Sequence, residues 1–148
     1  MADFSLLKHR KPARPRKVIV VEDDAVLGLT IEQTLLDNGI SEVTICPSTS
    51  CTIGKLRDGS YDAMVLDVHL ADSDEGWEIA ELVNALGNEN TRIVFQTGAP
   101  EEIPPRIREL GPVLMKPYDP MDLIAALEEK PRSGLLALLR RQSRKPRL

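Results

Sequence analysis

A chain of 148 residues with 42% hydrophobic side chains is long enough to bury the core of one domain. Its formal charge of −4 conceals an acidic centre: residues 18–129 hold 6 basic and 22 acidic side chains, whereas residues 1–17 hold six Lys/Arg against one acid and residues 130–148 hold seven Lys/Arg and no acid. An acidic fold with basic ends argues against sequence-specific nucleic-acid recognition, which needs a basic face on the fold itself, and no apolar run approaches the roughly 18 residues of a transmembrane segment.

Residues 1–16, polar and bearing Pro12 and Pro15, are expected to form a disordered basic leader ahead of a domain at 17–130. Lys17–Val21 predicts a strand, and its run VIVV stops on Glu22, Asp23 and Asp24. Val26, Leu27, Ile31, Leu35 and Leu36 recur at helical spacing, with a stop at Asp37-Asn38-Gly39. Glu42–Cys46 is a second short strand. Ser48 or Thr49 then caps a helix that turns Ile53 and Leu56 inward and ends at Asp58-Gly59. Cys46 and Cys51 flank PSTS without the spacing partners of a zinc site. With no secretory signal ahead of them, they read as buried or half-buried free thiols in a reducing cytoplasm.

Tyr61–Val68 predicts the third strand and carries Asp67 near its end. A loop from His69 to Glu75 leads into a helix near Gly76–Leu86, with Trp77 packed close to the strand ends. Arg92–Thr97 is the fourth strand, broken by Gly98-Ala99-Pro100. Pro104-Pro105 forbids regular helix in the next stretch, so the fourth helix should shrink to a single turn in an irregular segment. Val113–Met115 is the fifth strand, and Asp119 caps a last helix with Pro120 at its first position, running to about Lys130. Residues 131–148 form a basic tail. Leu135, Leu136, Leu138 and Leu139 before Arg140-Arg141 predict a frayed, solvated extension, a short amphipathic helix for a partner or a membrane surface, or, third, a weak and salt-sensitive nucleic-acid contact. The alternation of strand and helix predicts an α/β fold with a doubly wound, five-stranded parallel sheet.

Buried parallel strands read as continuous apolar runs, and in open α/β sheets the chemistry gathers at their carboxyl ends. Four strands end here on Glu22 and Asp23, on Asp67, on Thr97 and on Lys116, which places three acids, a hydroxyl and an ammonium at one edge. Carboxylates brought together in this way repel one another unless a cation sits among them. Mg²⁺ fits best, because it uses few carboxylates and keeps its other positions for water and phosphate. A carboxylate facing Mg²⁺, a hydroxyl and a lysine is arranged as a nucleophile toward phosphorus. Lys116 would neutralise the transferring group and Thr97 would donate a hydrogen bond to it.

The segments VIVVEDD, YDAMVLDVHL, VFQTGA and LMKPYDPMDL, in this order and spacing, resemble the receiver domain of bacterial two-component response regulators, the CheY-like family. The resemblance covers Lys17 to Lys130. It implies a flavodoxin-like sheet of order 2-1-3-4-5, Asp67 as phosphoacceptor, Thr97 as switch hydroxyl and Lys116 as the phosphate-binding lysine. It assigns the Mg²⁺ ligands to Glu22, Asp23, Asp67 and the backbone carbonyl of His69, and it makes Lys116–Pro117 a cis candidate. It further implies a cytoplasmic phosphoprotein fed by a sensor histidine kinase or a phosphotransfer protein. The combination VFQTGA…KPY with a proline-broken fourth helix is similar to the FAT GUY subset of single-domain receivers, which implies a kinase of the HWE or a related type.

The chain departs from that pattern at several points. The loop between Asp67 and Gly76 is one residue longer, and Ala71 or Asp72 replaces its customary proline. Gln96 stands in place of an alanine, and Ala99 is followed by Pro100. Val113 stands where a switch Tyr or Phe is usual, leaving Tyr118 as the nearest aromatic substitute. Asp72, Asp74 and Glu75 read as solvated loop acids, and His9 as inert. His69 is either a half-exposed loop histidine or a group that steers water toward an acyl phosphate. The expected function is that of a single-domain response regulator, not an enzyme beyond slow autodephosphorylation, signalling by protein contact or phosphate shuttling. Two rival classes are a pseudo-receiver that only binds partners and an Mg²⁺-dependent aspartyl phosphohydrolase. The latter would place an acid where His69 stands and would need a cap domain.

Overall fold

The computed structural model describes residues 14–70, 76–85 and 90–128. Five apolar runs form parallel strands β1 (Lys17–Val21), β2 (Glu42–Cys46), β3 (Ala63–Asp67), β4 (Arg92–Thr97) and β5 (Val113–Met115). Between and after them lie α1 (Ala25–Asp37), α2 (Thr49–Asp58), α3 (Trp77–Ala85), a 3₁₀ turn at Pro100–Glu102, the one-turn helix α4 (Pro105–Arg108) and α5 (Pro120–Glu128). The strands assemble in the order β2-β1-β3-β4-β5, the doubly wound sheet expected from the sequence. The whole of the tail 131–148, the loop acids Asp72, Asp74 and Glu75, and residues 1–13 of the leader lie outside the described residues.

Strand side chains alternate between the two faces of the sheet. Ile19, Val21, Met64, Leu66, Ile93 and Phe95 form one layer with Ile79 and Val83 of α3 and Ile107 of α4. Val18, Val20, Ala63, Val65 and Val94 form the other with Ile31 and Leu35 of α1 and Leu123, Ile124 and Leu127 of α5. Every residue of β3 is buried, which explains why this central strand reads as unbroken apolar sequence.

Caps set the ends of the helices beside the acidic edge. Asp24 accepts hydrogen bonds from the amides of Val26 and Leu27 at 2.9 and 3.0 Å, a cap worth about 1 kcal/mol. Ser48, rather than Thr49, caps α2. The inward face of α2 differs from the expected one: Thr52 is fully buried and Ile53 only half-buried, because the Thr52 hydroxyl finds the Ser48 carbonyl at 2.8 Å. In α1 the apolar spacing is wider than the buried stripe. Val26 and Leu36 face outward, although they fit the period.

Residues 14–16, assigned from sequence to the leader, pack on the domain: Pro15 is buried, Arg14 pairs with Glu128 at 2.9 Å, and the Arg16 amide donates to Asp62. The segment after β4 is the irregular stretch that Pro104-Pro105 predicts. Pro104 caps α4, and Arg108 donates to the carbonyls of Pro100 and Ile103, tying the 3₁₀ turn to the helical turn.

Candidate metal and phosphoryl site

Parallel register fixes the site. Asp67 is the cross-strand partner of Gln96. Glu22 follows Val21, whose partner is Leu66, so Glu22 and Asp67 leave the sheet on the same face. Glu22, Asp23 and Asp67 each bring a carboxylate oxygen to within 4.8 Å of the others. Glu22 and Asp67 are buried, and Asp23 is exposed. From β5 and the cis Lys116–Pro117 peptide, Lys116 reaches across them: its Nζ donates to Glu22 Oε1 at 2.8 Å and to Asp67 Oδ2 at 3.0 Å. The other oxygen of Asp67 accepts the His69 amide at 3.0 Å. Thr97 is buried at the end of β4, and its hydroxyl accepts the Ala99 amide at 3.0 Å.

One ammonium therefore faces three carboxylates. Burial, then the nearby Asp67 carboxylate, pushes the Glu22 carboxyl above its ordinary value, against the pull of Lys116. Burial draws the Lys116 ammonium down, but its bonds to Glu22 and Asp67 outweigh this and raise it overall. The donor set fits a hard divalent ion: all ligands are oxygens, charge is in excess, and one carboxylate is exposed to solvent.

The raised Glu22 value has a defined consequence in metal-free buffer. A carboxyl held above its unfolded value binds its proton more tightly in the native state. Stability is then fullest below about 4.5 and declines as pH rises through the folded value. Wild type should lose stability relative to Glu22→Gln as pH rises above 4.5. Lys116, whose value is also raised, loses its contribution in the same direction, but only as pH rises above 10.5. Thermal unfolding of both proteins along one pH series checks this, and a difference that stays flat would refute it.

A family model for the response regulator receiver domain matches residues 18–128. The chain belongs to that family. Sequence comparison with curated proteins returned no match. Among solved structures, SdrG from Sphingomonas melonis Fr1 is 26% identical with a TM-score of 0.63, over 75% of this chain and 92% of that one. A CheY-like receiver domain protein from Methanospirillum hungatei JF-1 is 24% identical with a TM-score of 0.64, over 84% and 97%. The chemotaxis response regulator CheY4 of Vibrio cholerae is 24% identical with a TM-score of 0.64, over 76% and 95%. The last two establish the fold alone. Receiver domains are phosphoacceptors of two-component signalling, generally not enzymes, that typically use Mg²⁺ at an acidic cluster and work with kinases or phosphotransfer proteins. No helix among the described residues is long and apolar enough to cross a membrane.

Within this receiver, Gln96 carries contacts that its sequence alone did not reveal. It is fully buried, donates through Nε2 to Glu22 Oε1 at 3.3 Å, and accepts through Oε1 from the Tyr118 hydroxyl. The signal was available: a polar side chain in the otherwise apolar run IVFQ of a central strand must find buried partners. Tyr118 packs against the α1/α5 layer, and its hydroxyl is pushed up to about 12 by burial and by the charges of Glu22 and Asp67. Val113, which replaces the usual aromatic, packs partly buried on the opposite layer. His69 turns outward and pairs with Glu102 of the 3₁₀ turn at 2.9 Å, with both side chains well exposed.

Proposed function

We propose that this receiver is a stand-alone phosphoacceptor switch in which Asp67 takes a phosphoryl group from a phosphohistidine of a sensor kinase or phosphotransfer protein. The observation that carries this reading is the Lys116 ammonium bridging Asp67 and the buried Glu22. An Asp67 oxygen would form the new P–O bond as the P–N bond to the donor histidine breaks, and the departing imidazole keeps the electron pair and takes up a proton. Lys116, released from Asp67, would follow the charge onto the phosphoryl oxygens. Thr97 would turn its hydroxyl from the Ala99 amide to donate to the same oxygens. Glu22, Asp23, Asp67 and the His69 carbonyl would hold Mg²⁺, which supplies charge neutralisation at the transferring group.

The surface beside the acids supports a helical partner. Val26 and Leu29 of α1 are 75% and 59% exposed, and with Thr30, Gln33, Thr34 and Asp37 they line a groove of about 440 Å³. An exposed apolar stripe that begins two residues from the Asp24 cap suits the apolar face of a helix presenting its histidine to Asp67. The resemblance of VFQTGA…KPY to FAT GUY receivers points to a kinase of the HWE type. The receiver unit is taken as residues 17–130 of a cytoplasmic protein, with residues 14–16 packed against it and 131–148 outside it. Output is by protein contact or by return of the phosphate to another kinase. The phosphohydrolase alternative loses support from His69, whose imidazole points to Glu102 and not to the acids.

Incubation of the wild-type protein with a small acyl phosphodonor and Mg²⁺ should add one phosphoryl group by intact mass. Hydride trapping, which converts an aspartyl phosphate to homoserine, should locate it at position 67. Uptake without magnesium, or homoserine at another acid, would overturn the assignment. No uptake from the small donor or from any phosphohistidine protein would leave the pseudo-receiver.

A further inference from the structure

Outside the acidic edge, the molecule brings two thiols into contact. Cys46 is the last residue of β2 and is completely buried. Cys51 lies in the first turn of α2 and is half-buried at the surface of the same core layer. Their sulfurs are 2.7 Å apart. The turn between them is held rigidly. Ser48 caps α2 by accepting the Cys51 amide at 3.1 Å, and the Thr52 hydroxyl donates to the Ser48 carbonyl at 2.8 Å. These two bonds hold the backbone turn that places the two sulfurs side by side. Closing the remaining gap to a disulfide length of about 2.05 Å needs only a small movement.

We infer that Cys46 and Cys51 form a modification site, an oxidisable dithiol that a hydroperoxide converts to an intramolecular disulfide. Exposure assigns the roles. Cys51, reachable from solvent, attacks the peroxide: an S–O bond forms, the O–O bond breaks, and the departing oxygen takes a proton and leaves as alcohol or water. The sulfur of buried Cys46 then attacks the Cys51 sulfenic sulfur. The S–S bond forms, the S–O bond breaks, and water leaves carrying the Cys46 proton. Both thiol sulfurs are oxidised by one electron each as the peroxide is reduced, and a dithiol reductant reverses the change. Transient disulfides of this kind are the form in which reducing compartments use such pairs.

The site lies one backbone hydrogen bond from the acids, because the Glu22 amide donates to the Cys46 carbonyl at 3.0 Å. It does not depend on the phosphoacceptor reading, since neither thiol touches Asp67, Thr97 or Lys116 among the contacts of those residues.

The chain has only two cysteines, so the outcome is readable on the whole protein. The reduced folded protein is treated with a stoichiometric excess of hydrogen peroxide, excess oxidant is removed, and the protein is alkylated and weighed without reductant. The expected result is a monomer two mass units lighter that takes up no alkylating agent. After tryptic digestion the single peptide that carries both cysteines should be two mass units light and refractory to alkylation, and dithiothreitol should restore both thiols. In Cys46→Ser the intermediate has no partner, and the expected product is a Cys51 sulfenic acid that a dimedone probe labels. Two thiols still alkylated after peroxide, a disulfide-linked dimer in place of the internal bridge, or stable sulfinic acid on Cys51 of the wild-type protein would each overturn the proposal.

Discussion

Asp67→Asn should abolish phosphoryl uptake and at the same time raise the stability of the metal-free protein. The amide has nearly the volume of the carboxylate, and its oxygen can still accept the His69 amide, as Asp67 Oδ1 does at 3.0 Å. The packing of β3 is therefore kept. What disappears is the nucleophilic oxygen and one of three negative charges crowded round a single ammonium. Glu22 is 1% exposed, and after burial itself the Asp67 carboxylate is the next cause that pushes its carboxyl upward. Relief of a functional strain of this kind commonly stabilises by about 1 kcal/mol, or about 4 °C in Tm for a domain of this size. Magnesium should stabilise the two proteins unequally. A ligand bound only by the native state at one hundred times its Kd adds about 2.7 kcal/mol, and the variant, short of a ligand charge, should gain much less at the same concentration. Paired melts with and without Mg²⁺, together with intact mass after phosphodonor treatment, check all three points. A variant that still gains a phosphoryl group sinks the acceptor assignment. A metal-free Tm that falls by several degrees would mean that pairing with Lys116 outweighs the repulsion.

The parts of this arrangement that sequence made legible are those set by single strands. VIVV, MVL and IVF are continuous apolar runs because the strands are covered on both faces, and the residues that end them lie at the carboxyl edge by the geometry of parallel sheets. Pro104-Pro105 announced the interrupted fourth helix for an equally local reason, the missing donor and ring clash of proline. The parts that stayed hidden depend on what crosses between elements. Helical period could not say that Val26 faces solvent while Ile31 and Leu35 face the core, since the choice depends on where α5 packs. Nor could local pattern pair His69 with Glu102, or Arg108 with the carbonyls of a turn several residues before it.

Gln96 joins the two kinds of information. Its position as the register partner of Asp67 follows from strand alignment, yet its consequence appears only when Glu22 and Tyr118 arrive from other elements. Glu22 Oε1 accepts from both Lys116 and Gln96, so any movement of Lys116 toward a charged Asp67 alters what Gln96 can offer to Tyr118. Through two hydrogen bonds this buried amide links Glu22 at the edge to Tyr118, which packs on the α1/α5 layer.

Gly111→Ala should be the most damaging single methyl in the described chain, while Gly54→Ala should stabilise it. A Cβ at position 111 would lie 1.8 Å from the Ile93 carbonyl oxygen and 2.8 Å from its carbon. Both are backbone atoms of a buried central strand, so no rotamer change can relieve the clash, and the approach to β5 must swing away from β4. β5 is three residues long and pairs with β4 alone, through Phe95, Gln96 and Thr97. The Phe95 amide donates to Pro112, immediately after the glycine, at 2.9 Å. Overpacking of side chains costs about 1–3 kcal/mol, and a clash with fixed backbone should exceed that range, lowering Tm by more than about 12 °C at about 4 °C per kcal/mol. The same displacement draws Lys116 from Glu22 and Asp67, so phosphoryl uptake should fall in whatever fraction remains folded. Gly54 is the internal control. It sits within α2 with nothing inside 4 Å of the place a methyl would take, and alanine there should add about 0.4–1 kcal/mol by restricting the unfolded chain. Melting curves of the two variants decide the matter: a Gly111→Ala Tm within about two or three degrees of wild type, under 1 kcal/mol on the same scale, would show that the 110–113 connection can yield, and that β5 is not held at this point.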